Sequence, residues 1–267
     1  MPPRPPPTHF LCIPLVTSLS RPQLVSALAS FGSDVTSPQS VGVPAEAIRP
    51  VGTLHLTLGV MSFPKNEGLD KATELLKTLA PRQILGSIVA AQQAQAALES
   101  KGNQDEDQHK DKGKDKDKDP PGPLQPQLAV TLRGLHSMQS NPSKATALYS
   151  PPVDPDGTLQ KFCESIKQTF QQAGVMAEED RPLLLHATVL NTIYVKGEKR
   201  GGGGRHGKRR ERITVDARDI LDRYDDFVWM QDAPVEKIAI CRMGAKKQDD
   251  GDEAYEVEAE IGMDNGQ

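Results

Sequence analysis

The feature that most constrains the fold is a short pattern that occurs twice. The chain reads L-H-L-T-L at residues 54–58 and L-H-A-T-V at residues 185–189, each inside an apolar, strand-like run. Chance placement of the histidines and threonines gives roughly 0.3 His-x-Thr patterns in a chain of this composition. We therefore expect two similar halves, each contributing one such strand.

Alternate residues of a β-strand point to the same face and lie roughly 6 to 7 Å apart. His55 and Thr57 therefore share one face, and His186 and Thr188 share another. If these faces meet in a cleft, one imidazole can deprotonate an attacking hydroxyl or water while the other protonates the leaving oxygen. The two threonine hydroxyls would donate to the non-bridging phosphate oxygens. The pattern predicts phosphodiester chemistry without a metal or cofactor, and it does not say which histidine is the acid.

A single strand histidine is more often a core residue bonded to a backbone carbonyl, and a single strand threonine needs no function. Only the paired occurrence favours a site. Phe10 and Tyr194 can also stack on a base, but we interpret them as core aromatics and exclude them from the site.

Strands and helices alternate along most of the chain. The helix at 20–32 is expected to start at Ser20 as N-cap and to stop at Gly32, and the strand-like runs 127–138 and 144–150 are expected to pair as a hairpin. Apolar spacing predicts the remaining strands at 9–16, 54–63, 181–195, 235–243 and 254–263, and the remaining helices at 66–80, 82–100, 156–174 and 216–226.

Two segments do not have the composition of a folded core. Residues 101–123 contain a run in which Lys and Asp alternate, and residues 196–212 hold a run of glycines among Lys and Arg. We predict disordered insertions there, a disordered Pro-rich N-terminus at residues 1–8, and a single bilobal domain from 9 to 264. The basic segment suits a nuclear localisation signal, an RNA-backbone clamp or a solvated loop.

The three cysteines, Cys12, Cys163 and Cys241, form no CxxC pair, which argues against a zinc cluster and a secreted disulfide scaffold. The N-terminal segment has no apolar signal core, and no apolar run reaches the roughly 18 residues of a membrane span. We expect a soluble, intracellular protein with no membrane contact.

Paired H-x-T motifs in matching strands resemble the 2H phosphoesterase superfamily. Within this superfamily, the chain resembles the 2′,5′ RNA ligase-like domain shared by A-kinase anchoring protein 7 and the smallest activating signal cointegrator complex subunit. The resembling segments are "THFLCIPL", "LHLTLGVM", "LHATVLNTIY" and the tail from "DARDILDRYDDF" to "VEKIAICRM". The second motif is most similar to that of the cointegrator subunit. The resemblance implies an α/β (α+β) fold, with two pseudo-symmetric lobes of antiparallel sheet flanked by helices around a central cleft. It also implies His55 and His186 as acid and base, and Thr57 and Thr188 as phosphate-binding residues.

The resemblance leaves alternatives open. We expect a phosphoesterase acting on an RNA-derived phosphodiester, such as a 2′,3′-cyclic phosphate, a 2′,5′-linked oligoadenylate or an RNA 3′ end. The main alternative is a non-catalytic nucleotide- or RNA-binding adaptor in a coactivator or repair complex, and RNA end joining is a weaker one. We expect no KH domain before the first strand, so the binding partners of the cointegrator subunit cannot be assigned to this chain. For the location we favour the nucleus over the cytoplasm.

Overall fold

The computed structural model describes residues 5–102, 127–179, 181–195 and 213–264. The predicted insertion at 196–212 lies outside these ranges, as does that at 101–123 apart from residues 101 and 102, which end a helix. Thr8, within the predicted disordered N-terminus, donates its backbone N–H to Met61 O at 2.9 Å. No helix in the described ranges is long and apolar enough to span a bilayer.

The elements follow in mixed order. The helices are α1 (Arg21–Val35), α2 (Leu69–Lys77), α3 (Pro81–Gly102), α4 (Thr158–Gln172) and α5 (Arg218–Arg223). The strands are β1 (His9–Pro14), β2 (His55–Met61), β3 (Ala129–Arg133), β4 (His136–Ser137), β5 (Ala147–Ser150), β6 (Ala187–Asn191), β7 (Val228–Pro234), β8 (Lys237–Arg242), β9 (Lys246–Lys247), β10 (Glu253–Ala254) and β11 (Val257–Gly262).

The first sheet has the order β11-β8-β1-β2 and is antiparallel throughout. Its strand β1 is buried almost completely, as expected for the apolar run that starts the fold. Strand β2 is one of the two edge strands, with His55 opposite Pro14 and Thr57 opposite Cys12. The first His-x-Thr pair therefore lies on an edge strand of the sheet.

The second sheet has the order β4-β5-β6, and β6 is again an edge strand. Thr188 lies opposite Tyr149 in this sheet. Two further antiparallel pairs, β3 with β7 and β9 with β10, complete the strand set of the described residues. Helices and separate antiparallel sheets confirm the predicted α+β architecture.

The helices cover the sheets with apolar faces. In α1 the buried side chains Leu24, Leu28, Phe31 and Val35 recur every three or four residues, which places them on one face. Phe31 packs edge-on against Trp229 of β7, with ring centroids 5.1 Å apart. The same core contains residues of both sheets.

Two predictions about the ends of helix α1 need correction. Helix α1 continues through Gly32 to Val35, since the buried face continues with Val35 beyond the glycine. Ser20 is at the N-cap position, but its hydroxyl donates to Leu15 O at 2.6 Å and makes no side-chain cap bond.

The predicted hairpin is only partly correct, because β4 pairs with β5 whereas β3 pairs with β7. Strand β7 was absent from the sequence prediction. Its partner β3 lies far away in the chain, and such a pairing leaves no local pattern.

Candidate active site

The first histidine is fixed by the backbone just before its own strand. A short 3-10 turn, Val51–Thr53, leads into β2, and the His55 Nδ1 lies 2.7 Å from Thr53 O. A carbonyl only accepts hydrogen bonds, so Nδ1 must carry the proton and donate it. In neutral His55 the other nitrogen, Nε2, therefore has a free lone pair.

The second histidine is held in the same way. His186 immediately precedes β6, and its Nδ1 lies 2.8 Å from Leu184 O. The imidazole is thus also fixed with Nδ1 as donor to a carbonyl two residues earlier. The two motifs are alike in hydrogen bonding as well as in sequence.

All four predicted site residues line one cleft of about 70 Å³. One water needs roughly 10 to 15 Å³ of such cavity space, so this inner cleft has room for a small group such as a phosphate. None of the described residues that line it is Asp or Glu. The cleft lining is Arg49, Thr53, His55, Thr57, His186, Thr188, Asn191, Tyr194 and Tyr255.

Arg49 supplies the positive charge of the cleft. Its residue exposure is 6%, and its Nη2 has no hydrogen-bond acceptor among the described residues. Its guanidinium carbon lies 3.8 Å from the centre of the Tyr194 ring, a cation–π contact. A buried guanidinium with an unmet donor is costly unless an anion binds there. The arrangement suits an oxyanion.

Aromatic rings surround the first histidine. Phe10 packs at 4.7 Å and Tyr255 at 5.3 Å from the His55 ring, measured between centroids. Phe10 is a buried core residue as predicted, whereas Tyr194, which was also interpreted as core, is 46% exposed at the cleft. Burial raises the pKa of Tyr255 to about 12, so its hydroxyl stays protonated at neutral pH.

Burial also controls the protonation of His55. The pKa of His55 is lowered to about 4. Removal from water is the largest cause, the Thr53 carbonyl opposes it, and the nearby His186 and Arg49 charges add to the lowering. His55 is therefore neutral at physiological pH. A neutral imidazole with a free Nε2 is suited to accept a proton.

The described lining of the cleft holds two histidines and no cysteine, aspartate or glutamate. Within the described ranges there is no group of three or more His, Cys, Asp or Glu that could hold a metal ion. Cys12 and Cys241 lie together, with sulfurs 3.9 Å apart, but they are buried in the first sheet and do not line the cleft. The cleft offers imidazoles, hydroxyls and one guanidinium.

Of the residues that line the cleft, the sequence predicted the four motif residues as site residues and none of the others. Arg49 and Tyr255 lie in no motif, and Asn191 lies in β6 with its Oδ1 accepting from Ile193 N–H at 3.0 Å. An arginine in a largely apolar stretch is the sequence signal that points to Arg49. Its burial is known only from the structure.

Residues 7–263 match the family model described as the AKAP7 2′,5′ RNA ligase-like domain. This match covers nearly the whole chain, and the chain belongs to that family. The predicted resemblance to the 2′,5′ RNA ligase-like domain of A-kinase anchoring protein 7 is confirmed.

Two curated relatives match over shorter stretches. An uncharacterised protein of Schizosaccharomyces pombe is 28% identical over 119 residues, which is 45% of this chain and 50% of the relative. Activating signal cointegrator 1 complex subunit 1 of Mus musculus is 31% identical over 110 residues, covering 38% of this chain and 30% of the relative. The matched part spans half or less of each relative's length.

Solved structures of similar shape have low sequence identity. One described as a phosphoesterase is 15% identical with a TM-score of 0.46, covering 97% of this chain and 99% of that chain. E. coli LigT complexed with 3′-AMP is 15% identical with a TM-score of 0.45, covering 98% and 100%.

Proposed function

We propose that the chain is a metal-independent phosphodiesterase acting on RNA-derived phosphodiesters. The observation that carries this proposal is the single cleft that contains both His-x-Thr pairs together with Arg49. Two similarly fixed imidazoles supply a base and an acid, which is the minimum set for displacing an oxygen from phosphorus.

In the proposed reaction His55 is the base. Its Nε2 takes a proton from a water, or from a neighbouring hydroxyl of the substrate, and the oxygen of that group forms a bond to phosphorus. The phosphorus–oxygen bond to the leaving group breaks, and the departing oxygen takes a proton from Nε2 of protonated His186. One proton is gained by His55 and one is lost by His186, so the pair resets by exchange with water. His55 is assigned as the base because its low pKa leaves it neutral before the reaction, so it has no proton on Nε2 to give to the leaving group.

The hydroxyls of Thr57 and Thr188 and the guanidinium of Arg49 stabilise the charge on the non-bridging oxygens. Fixed donors in a site shielded from water interact more strongly with developing charge than they would in bulk solvent. The unmet Nη2 of Arg49 then has its acceptor.

An RNA-derived substrate is supported by the exposed Tyr194 ring and by the family. Arg49 covers one face of that ring, and the remaining exposed surface offers a base a stacking platform. The family description is 2′,5′ RNA ligase-like. The specific linkage, whether cyclic phosphate, 2′,5′ bond or 3′ end, is decided by assay.

We also propose that residues 9–264 act as one domain, because one continuous core contains side chains from both sheets. The mouse relative's name describes a complex subunit, and a nuclear location with coactivator or repair partners is part of the proposal. A fluorescent fusion lacking residues 196–212 tests the location, and an unchanged nuclear signal would rule out that segment as the signal.

The enzymatic proposal is tested with purified protein in EDTA against a panel of 2′,3′-cyclic phosphates, 2′,5′-linked oligoadenylates and RNA 3′ ends. His55→Ala and His186→Ala should each lower the rate by roughly 10² to 10⁴, while His109→Ala, in the charged insertion, should have no effect. Absence of turnover on every substrate with intact nucleotide binding would refute catalysis and favour the adaptor.

A further inference from the structure

A second cavity continues from the catalytic cleft. It has a volume of about 290 Å³ and shares Thr57 and His186 with the cleft, but it extends away from Arg49 and the tyrosines. We call it the Lys167 groove, and its further lining includes Val60, Met138, Lys167, Glu179, Arg181 and Leu184. Because the inner cleft accommodates only a small group, the two parts of a phosphodiester substrate must extend from it.

Lys167 makes this groove unusual. It lies on α4 among fully buried apolar side chains such as Ile166 and Phe170, and its own side chain is only 10% exposed. Burying an ammonium is unfavourable unless an anion neutralises it. The recorded partner is Glu179, with Nζ 3.3 Å from Oε2, and that carboxylate is 44% exposed.

Among the described residues that line the groove, cations outnumber carboxylates. Lys167 and Arg181 contribute two cations, whereas Glu179 is the one carboxylate among the described lining residues. A phosphate entering the groove meets Lys167 and Arg181 together, and it can displace the long Lys167–Glu179 contact. Lysine is a common point-charge binder of phosphate.

The groove also offers apolar contact. Met138 is 39% exposed and Leu184 is 50% exposed, so both present apolar surface at the groove instead of packing in the core. Val60 of β2 is only partly buried and adds to this wall. Such a wall, next to two cations, matches a nucleoside followed by a phosphate.

We propose that the Lys167 groove binds the nucleotide on the far side of the scissile bond from Tyr194, with the next phosphate of the strand at Lys167 and Arg181. This inference rests on the proposed phosphodiesterase function and specifies its substrate class. The preferred substrate is a single-stranded oligonucleotide of at least three nucleotides, because a dinucleotide lacks the phosphate that reaches the two cations.

The kinetic test compares a nucleotide dimer with the trimer of the same linkage. We expect kcat/KM to be about tenfold higher for the trimer, because it gains one desolvated charge contact that the dimer cannot make. Lys167→Met should lower kcat/KM for the trimer about tenfold more than for the dimer and so remove this preference. Lys161→Met, on the same helix but exposed, is the matched control and should keep the preference.

Equal kcat/KM for dimer and trimer, or an equal effect of Lys167→Met on both, would overturn the inference while leaving the proposed function intact. Arg181→Ala, at an exposed position, gives the same comparison if Lys167→Met does not fold. Binding is measured in parallel by calorimetry with the His55→Ala/His186→Ala double variant, which holds the oligonucleotides uncut. Tighter binding of the trimer, lost on adding Lys167→Met, supports the groove even if no turnover is found, and equal binding contradicts it.

Discussion

The backbone N–H of Arg49 donates to the carbonyl of Val189 at 2.9 Å. Val189 follows Thr188 in β6, and Arg49 lies six residues before His55, so this bond joins the approach to one motif to the strand of the other. An adjacent bridge pairs Ile48 with Leu190. The separation of the two histidines is therefore set by main-chain bonds beside the cleft, and the cation sits where the two halves meet.

The threonine hydroxyls are testable without altering the strands. Thr57→Val and Thr188→Val keep the β-branched shape and remove the donor, so folding should be preserved. We expect each change to lower kcat/KM by roughly tenfold to a hundredfold through lost charge stabilisation. The measurement is steady-state kinetics, with circular dichroism as the folding control. Thr73→Val, at a half-buried position of α2 that does not line the cleft, should leave the rate unchanged.

Arg49→Met removes the guanidinium while keeping much of the apolar length of the side chain. We expect a loss of about 10² in kcat/KM, the scale seen when one preorganised donor to a developing oxyanion is removed. Arg49→Lys should recover part of the rate, because it keeps the charge but loses the planar contact with Tyr194. Arg82→Met, at an ion pair on the surface with Asp264, is the matched control. A normal rate for Arg49→Met would remove this residue from the mechanism.

The acid side of the pH profile reports His55. Because its pKa in the folded free protein is about 4, His55 stays neutral, and kcat/KM should not fall on account of His55 until the pH approaches 4. A fall of kcat/KM with an apparent pKa near 6.5 would contradict His55 as the buried base. The measurement is kcat/KM at constant ionic strength, since Arg49 contributes to the shift through its charge.

The same shift predicts a change in folding stability. An unfolded chain binds a proton at His55 near pH 6.5, whereas the folded protein does so only near pH 4. The unfolded state binds more protons between these values, so the free energy of unfolding should decrease as pH falls from 6.5 to 4. His55→Gln should reduce this dependence in urea titrations. His9, whose pKa burial also lowers, contributes in the same direction and stays in both proteins.

Gly52 controls the turn that precedes His55. A Cβ added there would overlap Glu253 O, and the Gly52 N–H donates to both oxygens of Asp252, at 3.2 and 3.0 Å. Gly52→Ala should therefore displace the turn that carries the Thr53 carbonyl, lowering activity and costing roughly 1 to 3 kcal/mol of stability. Gly86→Ala, on α3 with no atom within 4 Å of the added Cβ, is the contrasting control. It should stabilise the helix slightly.

The sequence permitted prediction of those parts of the site that are local. A histidine and a threonine two residues apart share a strand face whatever surrounds them, so both pairs were predictable, and the structure places them in one cleft. Arg49 and Tyr255 reach the cleft through pairings between distant segments, which depend on the whole fold. The same reason explains the missed pairing of β3 with β7. The continuation of α1 past Gly32 shows that a buried face outweighs the modest helix penalty of one glycine.

The carbonyl acceptors of the two imidazoles make each half of the site portable. Thr53 to Thr57 and Leu184 to Thr188 each carry the acceptor, the imidazole and the hydroxyl within five consecutive residues. Many catalytic histidines instead depend on a carboxylate from elsewhere in the chain. If these two short segments are grafted onto facing edge strands of another scaffold, the backbone carbonyls within them fix the tautomer of each histidine. No distant supporting residue is then needed for that purpose.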